Sequence, residues 1–349
     1  MLRGHVYIVN EQTLPIHLNY MFVGTSAGGK DNNVGLLADM LRVKQGDFIF
    51  FYIESSTNQK GRFFGVFRAS DNAVYHSVKD AALQPNLPLK LIYRKKIEPY
   101  ERVYSEGVYE WIALDKLPTY SRELLWSLIY RKMKAKRGNT MLLPWEVKRL
   151  ISLIEDANDG RALSSRHHNF EISSSKITAA NITYDYNMGN QISLSLNDIK
   201  KNETTFQAYI LQQLTIGNNT FFPEIFGTNI VWIGNEVFAG CGMQKIDILI
   251  FEKIDEATHI YRIVELKHKS CLNSPAEQLR YYINWASEEN GGHLLGGKKF
   301  NIKPILLVFT QQFNLVPQNI INEVSQLNSI STNPEIWEMD TQRNVNKIL

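Results

Sequence analysis

The stretch RIVELKHK, residues 262–269, decides how the rest of the chain is read. Side chains of a β-strand alternate between its two faces. On such a strand Val264 and Leu266 face one way, while Ile263, Glu265 and Lys267 face the other. An otherwise apolar strand therefore carries a carboxylate and an ammonium side by side. Burying charge is costly unless the charge is paired or bound to a metal. An isolated Glu-x-Lys is ordinarily a surface ion pair, so the neighbouring sequence has to settle which case applies.

Immediately upstream, QKIDILIFEKIDEATHIYRIVELKHK (244–269) reads as one hairpin. A strand over 246–252 runs out, a turn sits at Asp255-Glu256-Ala257, and a strand over 259–267 returns. With the turn centred on residue 256, Asp247 lies opposite Glu265, their Cβ atoms roughly 5 Å apart. A slip of one residue would send them to opposite faces. Two carboxylates that close repel, and one of them is normally protonated at neutral pH. A divalent cation removes the conflict, and oxygen ligands with water suit Mg²⁺. Lys267, on the same face, would position or help deprotonate an attacking water beside a phosphate. Together these roles describe hydrolysis of a phosphodiester.

Further outward, the C-terminal texture is α/β. A helix near 198–214 (NDIKKNETTFQAYILQQL) precedes strands at 230–233 and 246–251. A helix near 274–289, an apolar strand PILLVFT (304–310) and a helix in PQNIINEVSQL follow the Glu-x-Lys strand. Asp247, followed 18 positions later by Glu265-Leu266-Lys267, resembles the core motif of the PD-(D/E)XK nuclease superfamily, with Ile246 in the place of the motif's proline. Glu203, near the start of the preceding helix, matches the metal-linked glutamate of many members. Gln278 and Tyr282 in EQLRYYINWA match the Q-x-x-x-Y element of RecB-like and NucS-like branches. They are four apart and share a helix face.

That resemblance covers about 150 residues and implies a restriction-endonuclease-like mixed sheet flanked by helices over 190–349. It implies Asp247, Glu265, Lys267 and Glu203 as catalytic residues. It also implies Mg²⁺, with Mn²⁺ able to substitute, held by Asp247, Glu265, Glu203 and the Leu266 backbone carbonyl, and DNA contacts from Gln278 and Tyr282. Gln244 and Lys245, flanking Asp247, read as candidates for DNA contact or as ordinary strand-edge polar residues, the second reading being favoured.

From 1 to about 118 the signals are mostly of strand type: HVYIVN (5–10), DFIFFYIE (47–54), RFFGVFRAS (62–70), then LPLKLIYRKKI and GVYEWIALDKL. NVGLLADMLRV (33–43) reads as a short helix. The order of the first strand, the helical insert, VKQGDFIFFY and GRFFGVFRAS resembles the PUA-like superfamily in its EVE/YTH-type branch. The resemblance implies a β-barrel with small helices whose pocket accepts one flipped, possibly modified base. The candidates for that pocket are Asn10, Phe22, Ser26, Asn33, Tyr52 and Trp111, with Thr25 and Asn32 near them. Asn32-Asn33 also reads as a turn and cap, and Tyr52 and Trp111 as core.

Between these parts, 119–189 reads as a basic helical segment and linker. SRELLWSLIYRKMKAK and LPWEVKRLISLIEDAN are its helices. Arg131, Lys132, Lys134, Lys136 and Arg137 interleave with Trp126 and Tyr130, a pattern suited to phosphate contacts as well as to a solvated face.

The totals set bounds. The chain has 349 residues, is 44% hydrophobic and 21% charged, and carries a net charge of +3, which permits an acidic partner without requiring one. Two cysteines make neither a disulfide framework nor a zinc quartet. The N-terminal apolar run is too short for a signal peptide, and FIFFYI (48–53) is far below a membrane span. Together with these bounds, the two resemblances imply a two-domain α+β and α/β protein of the prokaryotic cytoplasm without a membrane partner. Its domains fall at 1–118 and 190–349 with the segment 119–189 between them. Its expected activity is Mg²⁺-dependent cleavage of double-stranded DNA by a homodimer, as a restriction enzyme that depends on a modified base. The alternatives are a restriction enzyme for unmodified sequence, a structure-specific repair nuclease, and a non-catalytic nucleic-acid-binding protein.

Overall fold

Runs of branched and aromatic residues form central strands that are almost wholly buried, such as Phe48–Ile53 and Arg62–Ala69, and helices pack against the sheets in a mixed α+β architecture. The computed structural model describes residues 2–26, 33–56, 60–77, 90–115, 125, 127–128, 138–163, 169–181, 184, 187–217, 220–239, 244–268, 275–290, 299–329 and 333–349. The chain divides into two units, Leu2–Ser193 and Leu194–Leu349.

The first unit contains β1 (Gly4–Val9), α1 (Thr13–Asn19), β2 (Phe22–Thr25), α2 (Val34–Leu41), β3 (Phe48–Ile53), β4 (Arg62–Ala69), β5 (Tyr75–His76), β6 (Tyr93–Pro99) and β7 (Val108–Tyr109). After them come β8 (Asn139–Leu142), α3 (Pro144–Ala157), β9 (Phe170–Ser173), β10 (Lys176–Ala179) and β11 (Asn190–Gln191). Its main sheet runs β11-β5-β6-β4-β3-β1-β8, with β2 also on β6 and β7 also on β4. The β1–β3 pair is parallel, Val6 facing Phe50, and the rest of the sheet is antiparallel. On one face Val6, Phe50 and Val66 pack with Val147, Leu150 and Ile154 of α3. The described part of 119–189 thus shares the core of residues 1–118, and β8 is hydrogen-bonded to β1. The helix expected at 121–136 falls largely outside the described residues, and Arg131, Lys132, Lys134, Lys136 and Arg137 lie wholly outside them.

One expected strand of this unit is corrected. GVYEWIALDKL pairs only through Val108 and Tyr109 and then closes into a π-helical turn over Trp111–Asp115. The ladder stops where the Glu110 carboxylate takes the Tyr52 hydroxyl and the Glu110 N–H donates to the Gly61 carbonyl at 2.9 Å. Helix α1 was not foreseen. The Asn10 side chain starts it by accepting from the Gln12 and Thr13 N–H groups at 3.0 and 2.9 Å.

The second unit holds α4 (Leu196–Ile199), α5 (Glu203–Ile216), α6 (Pro223–Phe226), β12 (Ile230–Phe238), β13 (Lys245–Lys253) and β14 (Thr258–His268). It continues with α7 (Pro275–Asn284), β15 (Lys299–Phe309), α8 (Gln318–Ser325), β16 (Glu335–Met339) and β17 (Val345–Lys347). The sheet order is β12 to β17 in sequence, with β14–β15 and β15–β16 parallel and the other pairs antiparallel. Helices α5, α7 and α8 pack against its strands. The single helix expected over 198–214 is two. Asn202 adopts an extended backbone (φ −168°, ψ 172°) and its side chain caps α5 by accepting the Thr205 N–H at 2.9 Å. The cap leaves Glu203 as the first residue of α5, where a helix dipole favours an anion.

Candidate active site

The β13–β14 hairpin has the register read from the sequence. Ile248 pairs with Val264 and Leu249 with Ile263, so Asp247 and Glu265 are the next opposed positions. Asp255 holds the turn, its Oδ1 accepting the Ala257 and Thr258 N–H groups at 2.8 and 2.7 Å. At the far end the Leu266 N–H donates to Asp247 Oδ2 at 2.8 Å. The main chain of Leu266 therefore meets Asp247 through its amide. Lys267 Nζ donates to Glu265 Oε1, with Glu265 2% exposed. Asp247, Glu265 and Lys267 thus form one group at the end of two adjacent strands.

Glu203 joins the group from α5. Burial raises its pKa, Lys267 lowers it, Glu236 raises it, and the His268 N–H donates to its carboxylate. Asp247 is pushed well above the ordinary carboxylate range, first by burial and then by the charge of Glu265. Glu265 is raised by burial against the pull of Lys267. Burial alone would lower the Lys267 pKa, but Glu265, Glu203 and Asp247 outweigh it and hold the ammonium above its usual value. Lys267 is consequently a hydrogen-bond donor and a positive charge, and a poor base.

Two further groups escaped the sequence reading. Gln207, one turn into α5, donates from its amide to the Asp247 carbonyl at 2.9 Å and fixes the strand beneath the carboxylate. Glu236, on β12, holds Lys245 at 2.8 Å, and its charge acts on Glu203, Glu265 and Tyr282. The β12–β13 register pairs Asn235 with Ile248 and Val237 with Ile246, which sets Glu236 opposite Asp247, a placement that only the folded sheet reveals.

The Q-x-x-x-Y pair lies on α7. The Tyr282 ring is 1% exposed and its hydroxyl donates to the Lys245 carbonyl at 2.6 Å. Gln278 lies one turn back on the same helix. Tyr282 braces β13 beside Asp247, where the resemblance implied contact with DNA. Gln244 is exposed, and its carbonyl accepts the Ala239 N–H at 2.9 Å.

A divalent cation fits this donor set. Glu265 Oε2 is buried without a hydrogen-bond partner, and the remaining donors are hard carboxylate oxygens. Among the described residues no three His, Cys, Asp or Glu side chains are already drawn into a cage. The reason is visible in the pairing: each of Glu265 and Glu236 faces a lysine, and Asp247 faces an amide.

In the first unit the six base-pocket candidates are dispersed among other tasks. Asn10 and Asn33 cap α1 and α2, Asn33 accepting the Leu36 N–H at 3.3 Å. Phe22 is fully buried beside His17 and Arg94. Tyr52 stacks on Phe63 and bonds Glu110. The Ser26 carbonyl accepts from the Thr25 hydroxyl at 3.3 Å, and Trp111 is 54% exposed on the π-helical turn. A cavity of about 170 Å³ in this unit is lined instead by residues including Glu11, Ile53, Arg62, Phe64 and Ser175. Asn32 lies outside the described residues.

Among the described residues no helix is long and apolar enough to cross a membrane. In comparisons with known proteins, no family model matches the chain and no curated protein is significantly similar to it.

Proposed function

We propose that the protein is a Mg²⁺-dependent endonuclease of double-stranded DNA, acting as a restriction enzyme that depends on a modified base. The observation that carries the cleavage half is the joining of Asp247 to the Leu266 amide at 2.8 Å in a register that also brings in Glu265 and Lys267. The reader half rests on the resemblance of the first unit's sequence to PUA-like domains.

Asp247, Glu265 and Glu203 are the residues that would hold the cation. When bound, the cation neutralises the clustered carboxylates and lends positive charge to a phosphate oxygen. Lys267, kept charged by its neighbours, donates hydrogen bonds to the attacking water or to the phosphate and orients them. Gln207 and Tyr282 hold the main chain of β13 from both flanking helices, so the Asp247 carboxylate is fixed before substrate arrives. Preorganisation of this kind lowers a barrier because no reorganisation is needed at the moment of reaction.

The test is a cleavage assay on plain, methylated and hydroxymethylated DNA, with Mg²⁺ and with EDTA. Cutting is expected only with the metal and only on modified DNA. Asp247→Ala and Lys267→Ala are expected to abolish it while DNA binding persists. Cutting by either variant would overturn the site assignment, and equal cutting of all three DNAs would favour a sequence- or structure-specific enzyme. Retained binding with no cutting by the wild type under any condition would favour the non-catalytic alternative.

A further inference from the structure

Three neighbouring strands set three acidic positions in a row. Glu236 on β12 falls opposite Asp247 on β13, which falls opposite Glu265 on β14. Glu236 itself leaves the ladder. Its φ is +51°, the left-handed region that side chains other than glycine rarely adopt, in the interior of a nine-residue strand. The displaced carboxylate meets Lys245 Nζ at 2.8 Å, and it acts electrostatically on Glu203 and Glu265. Four carboxylates, from Glu203, Glu236, Asp247 and Glu265, thus share a neighbourhood with two ammonium groups, from Lys245 and Lys267. With all four carboxylates ionised, the balance would leave two negative charges, the complement of one divalent ion. Independently of that count, Glu265 is 2% exposed and its Oε2 has no hydrogen-bond partner.

We propose that Glu236 is a fourth carboxylate of the divalent-cation site, held by Lys245 until the ion binds. The inference rests on the cation site proposed above and adds a residue and an exchange to it. Lys245 is 37% exposed, so its flexible stem can carry the ammonium outward when Glu236 turns to the ion. The released charge then stands at the rim of the site, ready for a phosphate of the substrate. The lysine competes with the cation for one carboxylate, so the two side chains of this pair have opposite effects on cation affinity.

Calorimetric titration of the full chain with Mn²⁺, in the absence of DNA, tests this directly. Glu236→Gln is expected to weaken Mn²⁺ binding about tenfold, because affinity follows the number of charged ligands. Lys245→Met is expected to tighten it several-fold. Asp247→Asn is expected to remove it. Loss of structure alone would weaken binding in both Glu236→Gln and Lys245→Met, so a tightening in the latter distinguishes the exchange from a packing role. Unchanged or weaker binding in Lys245→Met overturns the proposal, as does unchanged binding in Glu236→Gln, while Asp247→Asn still loses the ion. If Asp247→Asn binds Mn²⁺ like the wild type, the cation site itself is wrong.

Discussion

Asp247 and Lys267 touch the same small site, yet their replacement has opposite consequences for stability. Burial and the Glu265 charge raise the Asp247 pKa in the folded protein. A carboxyl raised in this way contributes stability below its unfolded value of 3.8 and loses it as pH rises. At neutral pH an ionised Asp247 therefore lowers the stability of the fold. Asp247→Asn, which can still accept the Leu266 amide, is expected to raise the melting temperature in EDTA by roughly 2–4 °C per kcal/mol relieved. Cleavage should vanish in the same variant. Lys267→Met leaves Glu265 with two buried unpaired oxygens and is expected to cost about 1–3 kcal/mol. Denaturant unfolding of the two variants reads the contrast, and a fall in stability for both would refute it. The same raised carboxyls must shed protons to take a cation, so Mn²⁺ affinity is expected to rise with pH and binding to release protons. Calorimetry in buffers of different ionisation enthalpy counts those protons. At this scale the grouping of Asp247, Glu265, Lys267 and Glu203 was legible because each carries its charge in its residue type. Gln207 was not, because an amide serving a main-chain carbonyl has no signature before the helix is docked.

Among the elements, the hairpin was read correctly because it is held locally. Asp255 closes the turn through two N–H groups, and the alternation on both sides allows a single register. The connection into β12 is different in kind. Gly227 has φ +92°, and a Cβ there would lie 2.5–2.8 Å from the carboxylate of Glu252. That carboxylate accepts the Thr228 N–H at 2.9 Å and two bonds from Arg262, at 2.8 and 2.6 Å. Gly227→Ala adds backbone strain and displaces a buried ion pair together. Thermal or urea unfolding is expected to show a loss of about 3 kcal/mol or more. A loss below about 1 kcal/mol would mean the loop shifts without disturbing Arg262. The Trp111–Asp115 turn failed as a strand because its path depends on Glu110 reaching Tyr52, 58 residues away in sequence. Asn10 was assigned to a pocket because an Asn after a strand serves equally as a ligand-facing residue or a cap. Helix α1, too short to show a full apolar stripe, made it a cap.

For the molecule as a whole, pH dependence gathers contributions from positions far apart in the first unit. Burial lowers His5 and His17 to about 4. Each contributes stability above the unfolded value of 6.5 and loses it as pH falls towards 4, by about 3 kcal/mol apiece. Burial raises Glu146 to about 7, although it accepts from Ser127 N, Ser127 Oγ and Leu143 N. Its contribution is complete below 4.5 and declines as pH rises to about 7. Among these three, the two histidines outweigh the glutamate on the acid side, and only the glutamate acts between 6.5 and 7. The combined contribution of these three groups is expected to peak near pH 6.5, and Glu146→Gln to steepen the acid slope of the melting temperature and lessen its fall above the peak. An unaltered profile in that variant would show that Glu146 does not titrate in this range. What the amino-acid sequence by itself determined was the local: strand alternation, the turn at Asp255 that sets the hairpin register, and hence the meeting of Asp247, Glu265 and Lys267. Those features depend on neighbours within about twenty positions, and period and turn chemistry suffice to place them. The tertiary structure alone decided that the chain from 139 to 157 completes the first core, that Tyr282 braces β13, and that Glu236 sits against Lys245 beside the carboxylates. Each of those contacts joins surfaces whose partner is chosen by packing, so no single stretch of residues encodes it.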